Sequence, residues 1–270
     1  MLDQEFSGFV NANRLQLYLE RGGSGETVLY ISGTGGDLRN KPNQFDSPLA
    51  RHFNLVCYDQ RGLGQSDKPD GEYTMVDYAD DAAAVLDLLG EESICVVGVS
   101  FGGMVAQELA LRYPRRIRSL LLLCTSSGGG GQPSYPLHEL ETLTPTERVY
   151  RHLQISDTRR DDAWVQAQPE QWQQLMDISL RARRPDRDEV GAMKQLNARK
   201  LHNTFDRLAS LDMPVLLMGG LHDGIAPPQN MRALHAALPN AELRFYEGGH
   251  LFFIQDRQAY PDMLEWLASS

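Results

Sequence analysis

Ser100, Asp223 and His250 are the residues of this chain whose types and surroundings could together do chemistry. Ser100 lies in Gly98-Val99-Ser100-Phe101-Gly102-Gly103, directly after the apolar run Ser93-Ile94-Cys95-Val96-Val97 and before a helix-like stretch. A G-x-S-x-G turn of this kind puts the serine on a tight strand-to-helix corner, where a Cβ on either flanking glycine would collide with the neighbouring strand or helix. Asp223 follows a second strand-like run, Leu216-Leu217-Met218-Gly219-Gly220. His250 follows a third, Leu243-Arg244-Phe245-Tyr246-Glu247, through Gly248-Gly249. The order Ser, Asp, His is the one expected when the acid hangs from one strand end and the base from the next.

The chemistry explains why three residues are needed. A serine hydroxyl is a weak nucleophile at neutral pH, so a histidine must take its proton during attack and return it to the leaving group. A carboxylate then fixes the imidazole tautomer and stabilises the imidazolium. Singly, Asp223 is a turn residue before Gly224 and His250 is a loop histidine. Their joint placement with Ser100 carries the reading. His222 competes poorly as the base, because adjacent residues on an extended turn point in different directions and it cannot easily bond Asp223. His52, His138, His152, His202 and His235 lack a strand-end context and read as surface or packing residues.

The elements that must hold these residues are legible as alternation. Residues 9–19 alternate apolar and polar around Asn11-Ala12-Asn13, predicting an opening hairpin with an Asn-rich turn. Short apolar runs follow at 28–31, 55–58, 94–97, 120–123, 215–218 and 243–246, mostly separated by helical patterns. Near-continuous apolar runs are what a parallel sheet covered on both faces requires. Residues 77–89 show helical spacing before Gly90, and the helix over 104–113 follows the serine turn, so that its N-terminus would point at Ser100.

The alternation breaks after Thr125. Ser126-Ser127-Gly128-Gly129-Gly130-Gly131 is a flexible junction, and the next strand-like run waits until Pro214. Between them Thr144-Pro145-Thr146-Glu147 reads as a capping box, Pro169 opens a helix carrying Trp172, Leu175 and Met176, and residues 190–196 form a third. Residues 127–208 are therefore expected to cap the catalytic end of a core made of 1–126 and 209–270. Trp164 and Trp172 would roof a pocket over Ser100 or pack within the cap. The cap holds 12 basic and 12 acidic side chains, so the net charge of −10 belongs to the core. Arg181-Ala182-Arg183-Arg184 is its most basic run and reads as a solvated helix end.

At 270 residues and 41% hydrophobic content, the chain can bury a full core. Its acidity argues against nucleic acid or an anionic membrane as partner, since phosphate binding needs clustered Lys and Arg. Cys57, Cys95 and Cys124 each fall in a strand-like run and read as small hydrophobes, not as metal ligands or disulfide partners. The N-terminus has no basic and apolar signal pattern and no uncharged run reaches membrane-span length, so a cytoplasmic protein is expected.

Together these residues resemble the α/β-hydrolase family. Asp59-Gln60-Arg61-Gly62-Leu63-Gly64-Gln65-Ser66 is similar to the family's D-x-R-G-x-G-x-S segment after its fourth strand, and residues 208–227 run in the family's manner into the acid loop. The resemblance implies an α/β fold with an eight-stranded, mostly parallel sheet, helices on both faces, and the cap inserted after the sixth strand. It also implies an oxyanion hole built from backbone N–H groups, here those of Thr34 and Phe101, with Gly33 at the substrate. Where relatives carry His-Gly after the third strand, this chain has Ser32-Gly33-Thr34-Gly35-Gly36. The segment over residues 103–110 looks most like the enol-lactone hydrolases and small esterases of the family. The expectation is a cofactor-free serine hydrolase of small esters or lactones, working through an acyl-enzyme with no metal. A carbon–carbon bond hydrolase using the same three residues, and a ligand receptor that retains them, are the alternatives. Whether the chain is a monomer or a homodimer is left open.

Overall fold

The computed structural model describes residues 2–182 and 184–270, so Met1 and Arg183, the latter part of the basic run, lie outside the described residues. Eight strands form one sheet: β1 (Phe6–Ala12), β2 (Leu15–Gly22), β3 (Thr27–Ile31), β4 (Asn54–Tyr58), β5 (Ile94–Val99), β6 (Ile117–Leu123), β7 (Val215–Gly220) and β8 (Ala241–Tyr246). Their order is β1-β2-β4-β3-β5-β6-β7-β8. The β1–β2 and β2–β4 pairs are antiparallel, and every pair from β4–β3 to β7–β8 is parallel. The hairpin turn falls on Asn13 and Arg14, at φ 47° and 64°, one step later than the alternation predicted. Two consecutive left-handed residues match the right-handed twist of the strands they join, and asparagine tolerates that region best.

The central strands are buried at every position, and their period-2 alternation divides the core between two faces. Leu29, Ile31, Val56, Val96, Leu120 and Leu122 face α1 (Met75–Leu89) and α2 (Phe101–Arg112). Val28, Leu55, Cys57, Val97, Leu121 and Leu123 face the C-terminal part of the chain. Helix α1 starts on a capping box, in which Thr74 Oγ1 accepts from the Asp77 N–H while the Asp77 carboxylate accepts from the Thr74 N–H. It stops at Gly90, at φ 71°.

Among the described residues four α-helices lie between β6 and β7: α3 (Pro145–Ser156), α4 (Asp162–Ala167), α5 (Pro169–Ala182) and α6 (Glu189–Lys200). Thr144 and Glu147 form the predicted capping box on α3. Six-residue α4, capped by Asp161, has too few turns to leave a periodic signature and was not predicted. After β7 come α7 (Pro228–Ala237), and after β8 come α8 (Phe252–Gln255) and α9 (Ala259–Ser269). Among the described residues, no helix is long and apolar enough to cross a membrane.

Candidate active site

Ser100 stands between the last residue of β5 and the first of α2, at φ 53° and ψ −112°. This conformation costs about 1–3 kcal/mol for a residue with a Cβ, so the surroundings must impose it. They do so through the backbone: the Ser100 N–H donates to the Leu123 carbonyl (2.8 Å), and the Ser100 carbonyl accepts from Thr125 Oγ1 (2.7 Å) and the Gly103 N–H (3.0 Å). Glycine is required on both sides. A Cβ on Gly98 would lie 2.6 Å from the Gly102 carbonyl oxygen, and one on Gly102 would overlap the Ile31 carbonyl. The predicted reason for the two glycines is thus the observed one.

Asp223 and His250 sit on the loops that leave β7 and β8. The structure brings all three predicted side chains together: His250 Nδ1 is 2.8 Å from Asp223 Oδ2, and His250 Nε2 is 3.0 Å from Ser100 Oγ. The other Asp223 oxygen accepts from the N–H groups of Ile225 (2.7 Å) and Ala226 (2.9 Å). A carboxylate so occupied only accepts, which assigns the His250 proton to Nδ1 and leaves Nε2 to receive the Ser100 hydroxyl proton. All three residues are less than 10% exposed, which strengthens each of these bonds relative to water. His222, the rejected competitor, places its Nε2 3.4 Å from Glu247 on the surface side.

A helical turn of the inserted segment backs this arrangement. The His250 N–H donates to the Ser156 carbonyl (2.6 Å), the Gly224 N–H to Ile155 (2.9 Å), and the Thr158 N–H to His222 (2.9 Å). The end of α3 is thereby bonded to both the acid loop and the histidine loop.

Above Ser100 is a cavity of about 640 Å³, lined among others by Gly33, Thr34, Leu137, Ile225 and His250. The Gly33 Cα approaches so closely that an added Cβ would lie 3.5 Å from Ser100 Cβ. The N–H of Gly35 is taken by Gln195 Oε1 (2.9 Å) and that of Gly36 by the Gly33 carbonyl (3.2 Å). Among the described residues no acceptor takes the Thr34 N–H. Phe101 is the first residue of α2, where N–H groups have no carbonyl one turn earlier. Asp59 ties this loop down by accepting from the Leu38 N–H (2.7 Å) and the Gln65 N–H (2.9 Å), and burial pushes its carboxyl up to about 6.

Trp164 and Trp172 require a correction, since neither lines this cavity. Trp172 is buried with Leu153 and Met176, and its ring centroid lies 4.8 Å from that of Tyr150 and 6.4 Å from that of Trp164. Trp172 and Met176 of α5 pack on Leu153 of α3, whereas Ile155 of α3 packs with Leu137, Leu140, Leu196 and Ile225.

Two residues at the site were not anticipated. His152, on α3, lines the cavity, and its pKa is held down to about 4, chiefly by the surrounding protein and then by His250 and Arg199. The residue itself is exposed. Cys124, at φ 41°, comes with Asp223 and His250 into a group whose ligand atoms lie within 4.8 Å of one another. That donor set fits a metal poorly, because Asp223 Oδ2 and His250 Nδ1 are already bonded to each other and burial raises the Cys124 thiol pKa well above its usual value.

A family profile described as the alpha/beta hydrolase fold matches residues 26–257. A Mycobacterium tuberculosis protein that carries the provisional name non-heme bromoperoxidase BpoC is 29% identical over 268 residues, 94% of this chain and 98% of its own. Among solved structures, the thermophilic esterase from Thermogutta terrifontis is 25% identical and superposes with a TM-score of 0.74, covering 98% of both chains. The enol-lactonase from Burkholderia xenovorans, 21% identical, shares the fold with a TM-score of 0.77 over 97% of this chain and 100% of its own.

Proposed function

The chain belongs to the alpha/beta hydrolase fold family, and from that premise we propose that it is a serine hydrolase that cleaves small carboxylic esters or lactones through an acyl-enzyme. The observation that carries this reading is the unbroken hydrogen-bond chain from Asp223 through His250 to Ser100 Oγ at the floor of a cavity. In it Ser100 Oγ attacks the carbonyl carbon while His250 Nε2 takes its proton, and Asp223 holds the resulting imidazolium. The N–H groups of Thr34 and Phe101 receive the oxyanion. His250 then returns the proton to the leaving oxygen, and a water activated in the same way releases the acid. Every proton and electron pair has a place among these groups, so the cycle needs no cofactor.

Residues 127–208 serve in this reading as a cap that closes the cavity and limits substrate size. A space of about 640 Å³ suits a small-molecule ester with an acyl group of short to medium length. The 25% identical esterase supports the reaction class. The deciding experiment is steady-state turnover of a panel of p-nitrophenyl esters and lactones, with fluorophosphonate labelling mapped to Ser100. Multiple turnovers and a label on Ser100 are expected. A single slow turnover would instead favour a receptor, hydrolysis restricted to dienoic diketones a carbon–carbon hydrolase, and turnover restricted to bromide with hydrogen peroxide a peroxidase.

A further inference from the structure

His152 is one of several polar side chains of the cavity that the proposed cycle does not use, and it is on the inserted helix that backs His250. It lines both the cavity over Ser100 and a second one of about 450 Å³, and the two share Thr34, Gly35, Asp37, Asn40, Leu137 and His152. The two cavities therefore border each other, with His152 among the residues between them.

The hydrogen bonds of His152 assign its tautomer. Ser156, one turn further along α3, donates its hydroxyl proton to the His152 carbonyl (2.6 Å). A serine hydroxyl has one proton, so at the 3.3 Å contact between Ser156 Oγ and His152 Nδ1 the oxygen must accept and Nδ1 must donate. The ring's remaining nitrogen, Nε2, then carries a lone pair and has no partner among the described residues. The residue is exposed, so water satisfies this acceptor in the free protein and a donor on a ligand in the cavity would have to replace that bond.

The position of His152 says which part of a substrate it would meet. In the proposed cycle His250 delivers its proton to the leaving oxygen, so the leaving group lies on the His250 side of the cavity. The Ser156 carbonyl binds the His250 N–H (2.6 Å), and His152 stands one turn, about 5.4 Å, back along the same helix. The charged groups lining the second cavity balance, Asp37, Glu141 and Asp188 against Arg148, Arg184 and Arg187, with Arg148 paired to Glu141 and Arg184 to Asp186, which suits a neutral group better than a charged one.

We infer that His152 is a specificity residue that accepts a hydrogen bond from a hydroxyl or N–H group on the alcohol portion of the substrate, so that the preferred substrates are esters of polyols or of amide-bearing alcohols. This inference rests on the ester-cleaving reading above. The protein packed around the ring, with His250 and Arg199, holds its pKa down to about 4, so it remains an acceptor through the physiological range and moves no proton.

The test compares butyrate esters of ethylene glycol and of propan-1-ol, in which a hydroxyl replaces a methyl of similar size. The readout is the ratio of their kcat/KM values, measured in the native chain, His152→Leu and His152→Gln, with fluorophosphonate labelling of Ser100 as the check of folding. The ratio should fall about 5- to 10-fold in His152→Leu and be largely retained in His152→Gln, whose amide oxygen can accept. If His152→Leu does not label, His152→Met, of similar size and lacking a strong acceptor, takes its place. Equal ratios in native and substituted chains would overturn the inference while leaving ester cleavage standing. Failure of the native chain to hydrolyse either ester or any p-nitrophenyl ester would overturn the underlying reading as well.

Discussion

The sheet and the helices inserted between β6 and β7 are built to different tolerances. Strands β3, β4 and β5 are buried at every position and feed two large apolar clusters, one on each face of the sheet. Helices α3 and α5 each bury only two residues, Leu153 and Ile155 on one and Trp172 and Met176 on the other, and α4 buries none. Helix α6 is the exception, burying six residues, of which Ala198 joins the main core, while the end of α3 is tied to the core by the backbone bonds at Ile155, Ser156 and Thr158 and by the packing of Ile155 on Ile225. The difference teaches a division of labour. A hydrogen-bonded chain set to about 3 Å needs a frame that cannot relax, and the inserted helices touch that frame at α6 and the end of α3 while α4 and α5 stand away from it.

The sharpest way to break this comparison is to remove the chemistry and leave the frame. Ser100→Ala or His250→Ala should lower kcat by about 10⁴-fold or more, and the double variant should be little worse, because the residues act as a unit. Thermal unfolding should change little. Multiplicative losses in the double variant, or more than about a tenth of the activity left in Ser100→Ala, would contradict the assignment.

Asp223→Asn is the next step down. Its oxygen would still accept from Ile225 and Ala226, but the amide nitrogen would face His250 Nδ1 and enforce the wrong tautomer, at a cost on the order of 10³- to 10⁴-fold in kcat. The fold should survive, so the loss should appear in kcat and not in the unfolding midpoint. A near-silent substitution would mean that another group orients the imidazole.

A pair of truncations then compares the two regions directly. Leu122→Ala opens a hole under the sheet in a side chain that is fully buried, and should cost about 2–5 kcal/mol of global stability in a single transition. Trp172→Ala removes the centre of a small, separate cluster. It should strip hydrogen-exchange protection from α3 and α5 while β5 and β6 keep theirs. Loss of protection across the sheet in Trp172→Ala would show that the two regions unfold as one.

The same division governs what could be read from the sequence. Ser100 and Asp223 were legible because each follows an apolar run that is buried in the sheet, His250 because it follows the half-buried edge strand β8, and all three because glycines mark the places where backbones touch. Strand order was not legible from alternation, since pairing β3 between β4 and β5 depends on crossovers that leave no local trace. In the inserted helices the capping box at Thr144 located α3, and Pro169 with the spacing of Trp172, Leu175 and Met176 located α5, but neither gave the direction of their apolar faces. The tryptophans were therefore compatible with the pocket and turned out to meet each other. His152 was missed for the same reason: the Ser156 spacing that sets its tautomer is visible, but which face of α3 looks into the cavity is decided by tertiary packing.

The smallest expected effect joins the two regions through acid. His202 lies at the end of the inserted segment, 5% exposed, with Nε2 3.2 Å from the Ser126 carbonyl just beyond β6. Burial holds its pKa down to about 3, against an ordinary value of 6.5. The unfolded chain therefore takes up a proton before the folded one does, so the stability contributed by the neutral ring is complete above pH 6.5 and is lost as pH falls toward 3. At pH 5 the loss is about 2 kcal/mol, from 1.36 kcal/mol for each unit below the unfolded value. His202→Gln keeps an N–H donor near the Ser126 carbonyl but does not titrate. Urea unfolding at pH 7 and pH 5 should accordingly show a smaller decline in the variant than in the native chain, by about that amount. Because His202 sits at the joint, the acid-sensitive step should expose the inserted helices first, with the sheet following at lower pH. An identical decline in both chains would mean that His202 is already protonated in the folded state, and that the joint is wetter than its packing indicates.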